Sequence, residues 1–313
     1  MPRTRRSQDE LPNPGADEAR TSPPQPPLRS GFVEAGEYRL HHTSAGSGAP
    51  LVLVHGLGSA GYIEWRHNLP ELARRRRVLA PDLPGFGRSA KPDIVYGVPL
   101  FADALEAYLD ALQLSRVDLV GASLGGRVAI ELALRQPERI RRLVLVNALG
   151  VGRAAPKPYY PLVAVPRLGE AVLGAIRLGL HRLPPRTLRS FTRRYAGRSL
   201  AAEGERFEED YFAHLRELHA AQGYHRAYLT TVRSLARPRA FLGTDQTQRL
   251  ARSAISVGLL WGELDPLFPV QLARRAHSLL PGSSLRVIVG AGHTPQAERP
   301  AEFNQALIEL LRG

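Results

Sequence analysis

The sequence predicts an α/β fold with a mostly parallel central sheet and helices on both of its faces. Near-continuous apolar runs, such as "APLVLVHG" at 49–56 and "RRLVLVNA" at 141–148, are typical of strands buried on both faces. Helical patterns separate these runs, and strands that alternate with helices indicate a parallel sheet. The alternation stops between about 151 and 240, where the pattern is helical.

The individual elements follow from the same two patterns. Further strands are predicted at "EYRLHHTSAG" (37–46), "RVLAPD" (77–82), "RVDLVGAS" (116–123), "AISVGLLWG" (254–262) and "SLRVIVGAG" (284–292). Helices are predicted at about 61–74, 100–113, 124–136, 269–280 and 300–312. Residues 1–30 hold seven prolines and no apolar periodicity, so we expect a disordered tail. The core then comprises 31–150 and 241–313, and a helical segment, 151–240, interrupts it.

Composition excludes several classes of protein. The chain has no cysteine, which excludes disulfides, a thiolate nucleophile and Cys-ligated metals. No apolar run reaches the roughly 20 residues of a membrane span, and no secretory signal is recognisable. We therefore expect a cytoplasmic protein.

The chain is strongly basic, with a formal charge of +13, and all of its basic residues except Lys91 and Lys157 are arginines. This bias fits a GC-rich coding sequence as well as a binding surface, and we expect no nucleic-acid partner. Residues 153–239 hold 15 arginines and Lys157 against six glutamates and Asp210, a balance of +9. Solvated helices, attraction of anionic substrates and contact with an anionic membrane surface all fit this charge.

Ser123 is the candidate nucleophile. It lies in "GASLGG" (121–126), between a predicted strand and a predicted helix, which is the context of a G-x-S-x-G nucleophile elbow. Small neighbours let the strand and helix pass closely, and the serine hydroxyl then stands at the carboxyl edge of the sheet. A glycine-rich turn with a capping serine is the structural alternative.

A serine nucleophile requires a base, and the base requires an acid that orients it. His293 follows the last predicted strand, so it lies at the same sheet edge as Ser123. Asp265 follows the preceding strand in "WGELDP", and Glu263 is its rival in the same loop. Asn147, after the strand at 141–148, is uncharged and cannot act as the acid.

Two backbone amides are the expected oxyanion hole. The N–H of Leu124 lies at a helix N-terminus, and the N–H of Leu57 lies in the glycine-rich loop "HGLG" (55–58). His55 is expected to hold this loop by hydrogen bonds.

Five segments in order resemble the α/β-hydrolase superfamily, in its branch with a helical cap. They are "HGLG" (55–58), "DLPGFGRS" (82–89), "GASLGG" (121–126), "WGELDP" (261–266) and "GHTPQAERP" (292–300). The chain order Ser123, Asp265, His293 is that of the superfamily. The resemblance covers residues 31–313 and implies a cap, inserted after the sixth strand, over the active site.

The resemblance and the serine together predict a serine hydrolase acting on a carboxylic ester or related acyl substrate. Epoxide hydrolases and haloalkane dehalogenases of this fold use aspartate at this position. Hydrolases that cleave carbon–carbon bonds of ring-fission products are also similar, but they commonly carry tryptophan where this chain has Thr294. Cofactor-free haloperoxidases, acyltransferases and a non-catalytic ligand sensor remain open as well.

The expected partner is a small-molecule acyl substrate, and the mechanism requires no metal or organic cofactor. The glycines of "DLPGFGRS" resemble a phosphate cradle, but no P-loop lysine follows them and the G-x-G-x-x-G spacing is absent. The sequence leaves open the natural substrate, the acyl chain length and the oligomeric state.

Overall fold

A computed structural model describes residues 26–152, 159–184, 186–188, 204–236 and 246–312. Within these ranges eight strands form one sheet. They are β1 (Arg29–Ala35), β2 (Tyr38–Ala45), β3 (Pro50–Val54), β4 (Arg77–Pro81), β5 (Val117–Ala122), β6 (Ile140–Val146), β7 (Ser256–Gly262) and β8 (Ser284–Ile288). Their spatial order is β1-β2-β4-β3-β5-β6-β7-β8.

The sheet is parallel from β4 to β8, whereas β1–β2 and β2–β4 pair in antiparallel fashion. This confirms the predicted fold class. Alternate residues of β3 face opposite sides of the sheet: Val52 and Val54 join one apolar core, while Leu51 and Leu53 join the other. Both faces are therefore buried, which explains why the strands read as unbroken apolar runs.

Helices cover both faces of the sheet. The helices between β3 and β7 are α1 (Gly61–Trp65), α2 (Leu69–Leu72), α3 (Val98–Ala111), α4 (Leu124–Arg135), α5 (Tyr159–Ala164), α6 (Leu168–Arg182), α7 (Gly204–Ala220), α8 (Tyr224–Ala236) and α9 (Thr247–Ala251). They are followed by α10 (Val270–Leu279), α11 (Pro295–Glu298) and α12 (Pro300–Leu310). A single 3₁₀ turn, Pro137–Arg139, precedes β6.

The predicted helix at 61–74 is two short helices, α1 and α2, because Pro70 lies in the first turn of α2 and cannot continue a preceding helix. The tail prediction differs from the structure at Arg29 and Ser30, which belong to β1. Their backbone pairs with that of Ser44 and Thr43 in β2. These hydrogen bonds order two residues that would have no partner in an isolated polar segment. Residues 1–25 of the predicted tail lie outside the described residues.

In the described part of the segment between β6 and β7, the regular secondary structure is helical, and turns or bends join the helices α5 to α9. Helix α8 packs on the main body, since its Leu235 and Ala227 join the core cluster that contains α3 and α4. Much of the predicted segment at 151–240 lies outside the described residues, so its boundaries stay a prediction. Of the helices in the described ranges, none has the length and apolar character needed to span a bilayer.

Candidate active site

Ser123 lies at the sharp turn between β5 and α4. Its φ of 52° and ψ of −117° are outside the regions that ordinary residues favour, so its backbone is strained as the elbow motif predicts. The turn is held by hydrogen bonds from Ser123 N to Val146 O (3.0 Å) and from Leu149 N to Ser123 O (3.0 Å). The strain is therefore maintained by β6 and the residues that follow it.

Glycines make this turn sterically possible. A Cβ at Gly121 would lie 2.4 Å from the carbonyl oxygen of Gly125, and a Cβ at Gly125 would lie 2.4 Å from that of Val54. Neither approach tolerates a side chain, because the obstructing atoms are backbone. The small residues around Ser123 thus let α4 start directly against β3 and β5.

His293 and Asp265 meet Ser123 at the carboxyl edge of the sheet. The distance from His293 Nε2 to Ser123 Oγ is 3.1 Å, and that from His293 Nδ1 to Asp265 Oδ2 is 2.9 Å. An ionised carboxylate can only accept a hydrogen bond, so Nδ1 carries the proton and Nε2 accepts from the serine hydroxyl. The structure therefore brings the three predicted residues together with the polarity that proton removal from Ser123 requires.

The environment of Asp265 keeps it ionised. Burial alone would raise its pKa, but hydrogen bonds from His293, Asn147 and the Phe268 amide outweigh burial and lower it. Its Oδ1 accepts from the backbone N–H groups of Leu267 (2.7 Å) and Phe268 (3.1 Å). Its Oδ2 accepts from His293 and from the side-chain amide of Asn147.

Asn147 is a functional candidate whose role the sequence reasoning missed. The prediction that Asn147 is not the acid agrees with the structure. Its contacts show that it positions the acid instead. Its amide donates to Asp265 and to Gly292 O (3.2 Å), and its Oδ1 accepts from Gly262 N (3.0 Å). Its φ of 42° is one that asparagine tolerates better than most residues. The signal for this role in the sequence is an asparagine that directly follows a buried strand and precedes the insertion.

Glutamates occupy supporting positions around the histidine loop. Glu263, the rival acid, lies on the protein surface, where its Oε2 accepts from Gly290 N (3.0 Å). The buried Glu298 accepts from the backbone amides on either side of His293, Gly292 N (2.7 Å) and Thr294 N (2.9 Å). Glu298 therefore fixes the loop that carries the histidine, a second role that sequence reasoning missed.

The loop that contains Leu57 lies against Ser123. A Cβ at Gly56 would lie 3.3 Å from Ser123 Cβ, so this loop approaches the elbow closely. Leu124 is the first residue of α4, and its amide belongs to the helix N-terminus beside the hydroxyl. Both predicted oxyanion donors thus belong to segments adjoining Ser123, and their role in stabilising an oxyanion stays a prediction.

His55 holds this loop, as predicted. Its Nδ1 donates to Gly56 O (2.8 Å), and its Nε2 accepts from Leu83 N (2.9 Å). Burial lowers the pKa of His55, which agrees with a neutral ring that donates at one nitrogen and accepts at the other. The side chain is therefore a structural link between the loops after β3 and β4.

Helix α8 covers the loops beside the site. The hydroxyl of Tyr224 donates to Gly58 O (3.5 Å), and a Cβ at Gly58 would lie 3.1 Å from the ring of Tyr228. Two arginines of α8 are already paired: Arg226 with Asp93 (2.8 Å) and Arg233 with Glu170 (2.8 Å). Part of the basic charge of the insertion is thus neutralised within the protein.

The apolar residues of α5, α6 and the turn between them differ in exposure. Leu173 and Leu180 are buried, whereas Leu162, Val165, Leu168, Ile176 and Leu178 are exposed. In the described part of the chain, no group of three or more histidine, aspartate or glutamate side chains is arranged to hold a metal ion.

Comparisons with known proteins identify the family to which the chain belongs. A family model described as alpha/beta hydrolase fold matches residues 49–300. An uncharacterised protein of Mycobacterium tuberculosis is 32% identical over 269 residues, covering 85% of this chain and 76% of its own. The 2-hydroxy-6-oxononadienedioate/2-hydroxy-6-oxononatrienedioate hydrolase of Cupriavidus pinatubonensis is 29% identical over 286 residues, covering 88% and 91%.

Solved structures show the same similarity of fold. The 2-hydroxy-6-oxo-6-phenylhexa-2,4-dienoate hydrolase of Rhodococcus sp. strain RHA1 superposes with a TM-score of 0.75 at 22% identity. The match covers 92% of this chain and all of the solved chain. At this identity the similarity concerns the fold alone.

Proposed function

The chain belongs to the alpha/beta hydrolase fold family, and from this premise we propose that it is a serine hydrolase that forms an acyl-enzyme on Ser123. The observation that carries the proposal is the hydrogen-bonded series Ser123–His293–Asp265, with distances of 3.1 and 2.9 Å, at a strained elbow. Side chains alone are not enough for this chemistry, and the elbow adds the helix N-terminus that faces the reacting oxygen.

The first half of the reaction acylates the serine. His293 Nε2 takes the hydroxyl proton of Ser123 while Oγ attacks the carbonyl carbon of the substrate. The amides of Leu57 and Leu124 stabilise the negative oxygen of the tetrahedral intermediate, and each such donor contributes roughly 3–4 kcal/mol in comparable enzymes. The protonated His293, which Asp265 stabilises, then passes its proton to the leaving group.

The second half releases the acyl group. A water molecule takes the place of the leaving group. His293 removes a proton from this water as the water oxygen attacks the acyl carbon. Ser123 regains its proton when the carboxylic acid departs.

Carboxylic esters are the substrate class we propose first, which makes the chain a carboxylesterase. An ester requires the nucleophile, the base and the oxyanion donors, together with an alkoxide leaving group that His293 can protonate. The hydrogen-bonded series Ser123–His293–Asp265 supports the assignment of nucleophile and base, and we propose the amides of Leu57 and Leu124 as the oxyanion donors.

Carbon–carbon bond hydrolysis is the second candidate, and the relative from Cupriavidus pinatubonensis favours it. The same acyl-enzyme would serve this reaction, because the bond broken joins the attacked carbonyl to a carbon rather than to an oxygen. The leaving carbon then has to be protonated, which demands more of the site than an oxygen does. Thr294 stands where such hydrolases commonly carry tryptophan, and its hydroxyl donates to Glu298 Oε1 (3.0 Å).

A phosphonate that reacts with active serines tests the shared step. We expect the fastest adduct to form on Ser123, and Ser123→Ala to abolish turnover of p-nitrophenyl esters while the melting temperature stays within a few degrees. Near-normal turnover by Ser123→Ala would refute the proposal.

A substrate comparison separates the two candidates. We expect the wild-type chain to hydrolyse p-nitrophenyl acetate or butyrate with a higher kcat/KM than a 2-hydroxy-6-oxohexa-2,4-dienoate, whose consumption is followed by absorbance. The reverse order, abolished by Ser123→Ala, would establish the carbon–carbon hydrolase instead.

A further inference from the structure

A second Ser–His–Asp arrangement lies on the antiparallel edge of the sheet. Ser30 of β1 and His41 of β2 are side by side on one face, with Ser30 Oγ 2.7 Å from His41 Nε2. His41 Nδ1 lies 2.9 Å from Oδ2 of Asp82, which follows β4. In the sequence, Asp82 stands out only as the first residue of "DLPGFGRS", and no pattern connects it with Ser30.

The carboxylate of Asp82 is held in a similar way to that of Asp265, although it lacks the side-chain amide that Asn147 gives Asp265. Each Asp accepts two backbone amides as well as one histidine Nδ1. For Asp82 the amides are Gly61 N to Oδ1 (2.7 Å) and Arg88 N to Oδ2 (2.9 Å). Asp82 and His41 are 2% and 5% exposed, so water scarcely competes with these bonds.

The proton positions follow from these contacts. Burial would raise the pKa of Asp82, but hydrogen bonds from His41 and from the amides of Arg88 and Gly61 lower it, together with the nearby His55. The ionised carboxylate accepts from Nδ1–H of His41, so in the neutral imidazole Nε2 has no proton and accepts from the hydroxyl of Ser30. Ser30 is exposed, so its hydroxyl combines a bound base with access to solvent.

The Ser30 side chain lines a cavity of about 940 Å³ between β1, β2, α1 and α7. Among its described lining residues, four cations stand against two carboxylates. These are Arg29, Arg66, Arg88 and Lys91, against Asp82 and Glu217. Arg88 pairs loosely with Glu217 (3.6 Å), and among the described lining residues the basic side chains outnumber the acidic ones. A small anionic molecule fits this volume and charge.

We propose that Ser30 is a second nucleophile, which accepts acyl groups from activated, negatively charged esters bound in this cavity. His41 Nε2 takes the Ser30 proton as Oγ bonds to the acyl carbon. The bond from that carbon to the leaving phenolate oxygen breaks, and His41 returns the proton to the phenolate. This activity is independent of Ser123.

The backbone around Ser30 differs from that around Ser123 and limits the reaction. Ser30 lies in a regular strand, whereas Ser123 lies at the start of α4 with a strained φ. Without a helix N-terminus beside Ser30, we expect acylation to be slower than at Ser123 and the acyl group to be retained rather than turned over.

The chain contains a matched control for the role of Asp82. Ser283 Oγ lies 2.8 Å from His277 Nδ1; His277 is exposed and Ser283 is half-buried. In the part of the chain that the structure describes, no carboxylate accepts a hydrogen bond from His277. Ser283 therefore has a neighbouring imidazole but no acid that orients it.

The first test uses 4-acetoxy-3-nitrobenzoate, an anionic activated ester, with the full-length Ser123→Ala variant. We expect peptide mapping to show that Ser30 is acetylated at least about 10²-fold faster than Ser283. This factor is the lower end of the range of general-base contributions. Ser30→Ala in the same background should remove this adduct, and p-nitrophenyl acetate, which is neutral, should acylate Ser30 more slowly. Equal acetylation of Ser30 and Ser283 would overturn the proposal.

The second test uses the absence of cysteine from the chain. Ser30→Cys and Ser283→Cys, each in the Ser123→Ala background, introduce a single thiol. An oriented imidazole promotes thiolate formation, so we expect iodoacetamide at pH 7 to alkylate the Ser30→Cys variant at least about tenfold faster. Alkylation at similar rates would show that His41 does not act as a base, and the proposal would then fail whatever the acetylation result. Because Ser123 is absent throughout, these outcomes do not depend on the proposed function.

Discussion

Replacing Asp265 by asparagine should invert the proton arrangement of His293. An asparagine side chain has one oxygen and one NH₂ group in place of two oxygens. Oδ1 of Asp265 accepts two backbone amides, from Leu267 and Phe268, which cannot rotate away. The amide oxygen must stay with them, so the NH₂ group faces His293 Nδ1. The imidazole then carries its proton on Nε2, pointing at Ser123 instead of accepting from it.

The expected loss is large. An enzyme locked in the wrong tautomer loses about 10⁴ in kcat in the well-studied serine-protease case. This corresponds to about 5.4 kcal/mol of transition-state stabilisation. The side-chain amide of Asn147 opposes this orientation, because the backbone N–H of Gly262 holds its oxygen and keeps its NH₂ group towards residue 265. This single donor is outweighed by the two backbone amides that hold the other oxygen.

Glu263→Gln is the matched control, since it makes the same chemical change two residues away. Glu263 is exposed and accepts one backbone amide, that of Gly290, which a glutamine oxygen also accepts. We expect its kcat to stay within about twofold of wild type. Both variants should be compared by kcat for a p-nitrophenyl ester and by the rate at which a phosphonate labels Ser123. A greater loss in Glu263→Gln than in Asp265→Asn would refute the assignment.

Two further predictions concern neighbouring groups. Asn147→Ala removes a hydrogen bond to a charged carboxylate, worth about 1.5–3 kcal/mol, so we expect kcat to fall about 10- to 100-fold with little change in KM; an effect on KM alone would contradict a positioning role. His219 of α7 is 7% exposed, and burial, with His225 next, lowers its pKa to about 4. Because burial lowers the pKa of His219 in the folded state, the stability contributed by its neutral ring is present above pH 6.5. This stability is lost as the pH falls towards 4. The free energy of unfolding, measured with urea, should fall between pH 7 and pH 4.5 in the wild-type chain. In His219→Gln this fall should be smaller by roughly 2 kcal/mol. An equal fall in both proteins would contradict the burial argument.

Sequence patterns predicted the sheet and the elbow because each has a local cause. Strands buried on both faces require continuous apolar residues, and the close passage around Ser123 requires glycine at positions 121 and 125. By contrast, β1 escaped detection because it is an edge strand with mostly exposed side chains and no continuous apolar run. The pattern that detects buried strands is weak wherever one face meets solvent.

The choice between Asp265 and Glu263 could not come from spacing, since both follow β7 within three residues. It depends on how the loop folds, and the backbone amides of Leu267 and Phe268 direct the aspartate towards His293. The contact with Asn147 spans 118 positions of sequence. Only the pairing of β6 with β7 brings these residues together, which no local motif encodes.

The two Ser–His–Asp arrangements separate the contribution of side chains from that of the backbone. Asp82 and Asp265 each accept two backbone amides and one histidine Nδ1, and Asp265 also accepts the side-chain amide of Asn147. The larger difference is in the main chain: Ser123 has a φ of 52° and precedes a 12-residue helix, whereas Ser30 continues a strand. If orientation of the base were sufficient for turnover, both serines would release their acyl groups at comparable rates. If the oxyanion donors decide, Ser30 becomes acylated and stays so, and the ratio of the two deacylation rates measures what the elbow adds to the triad.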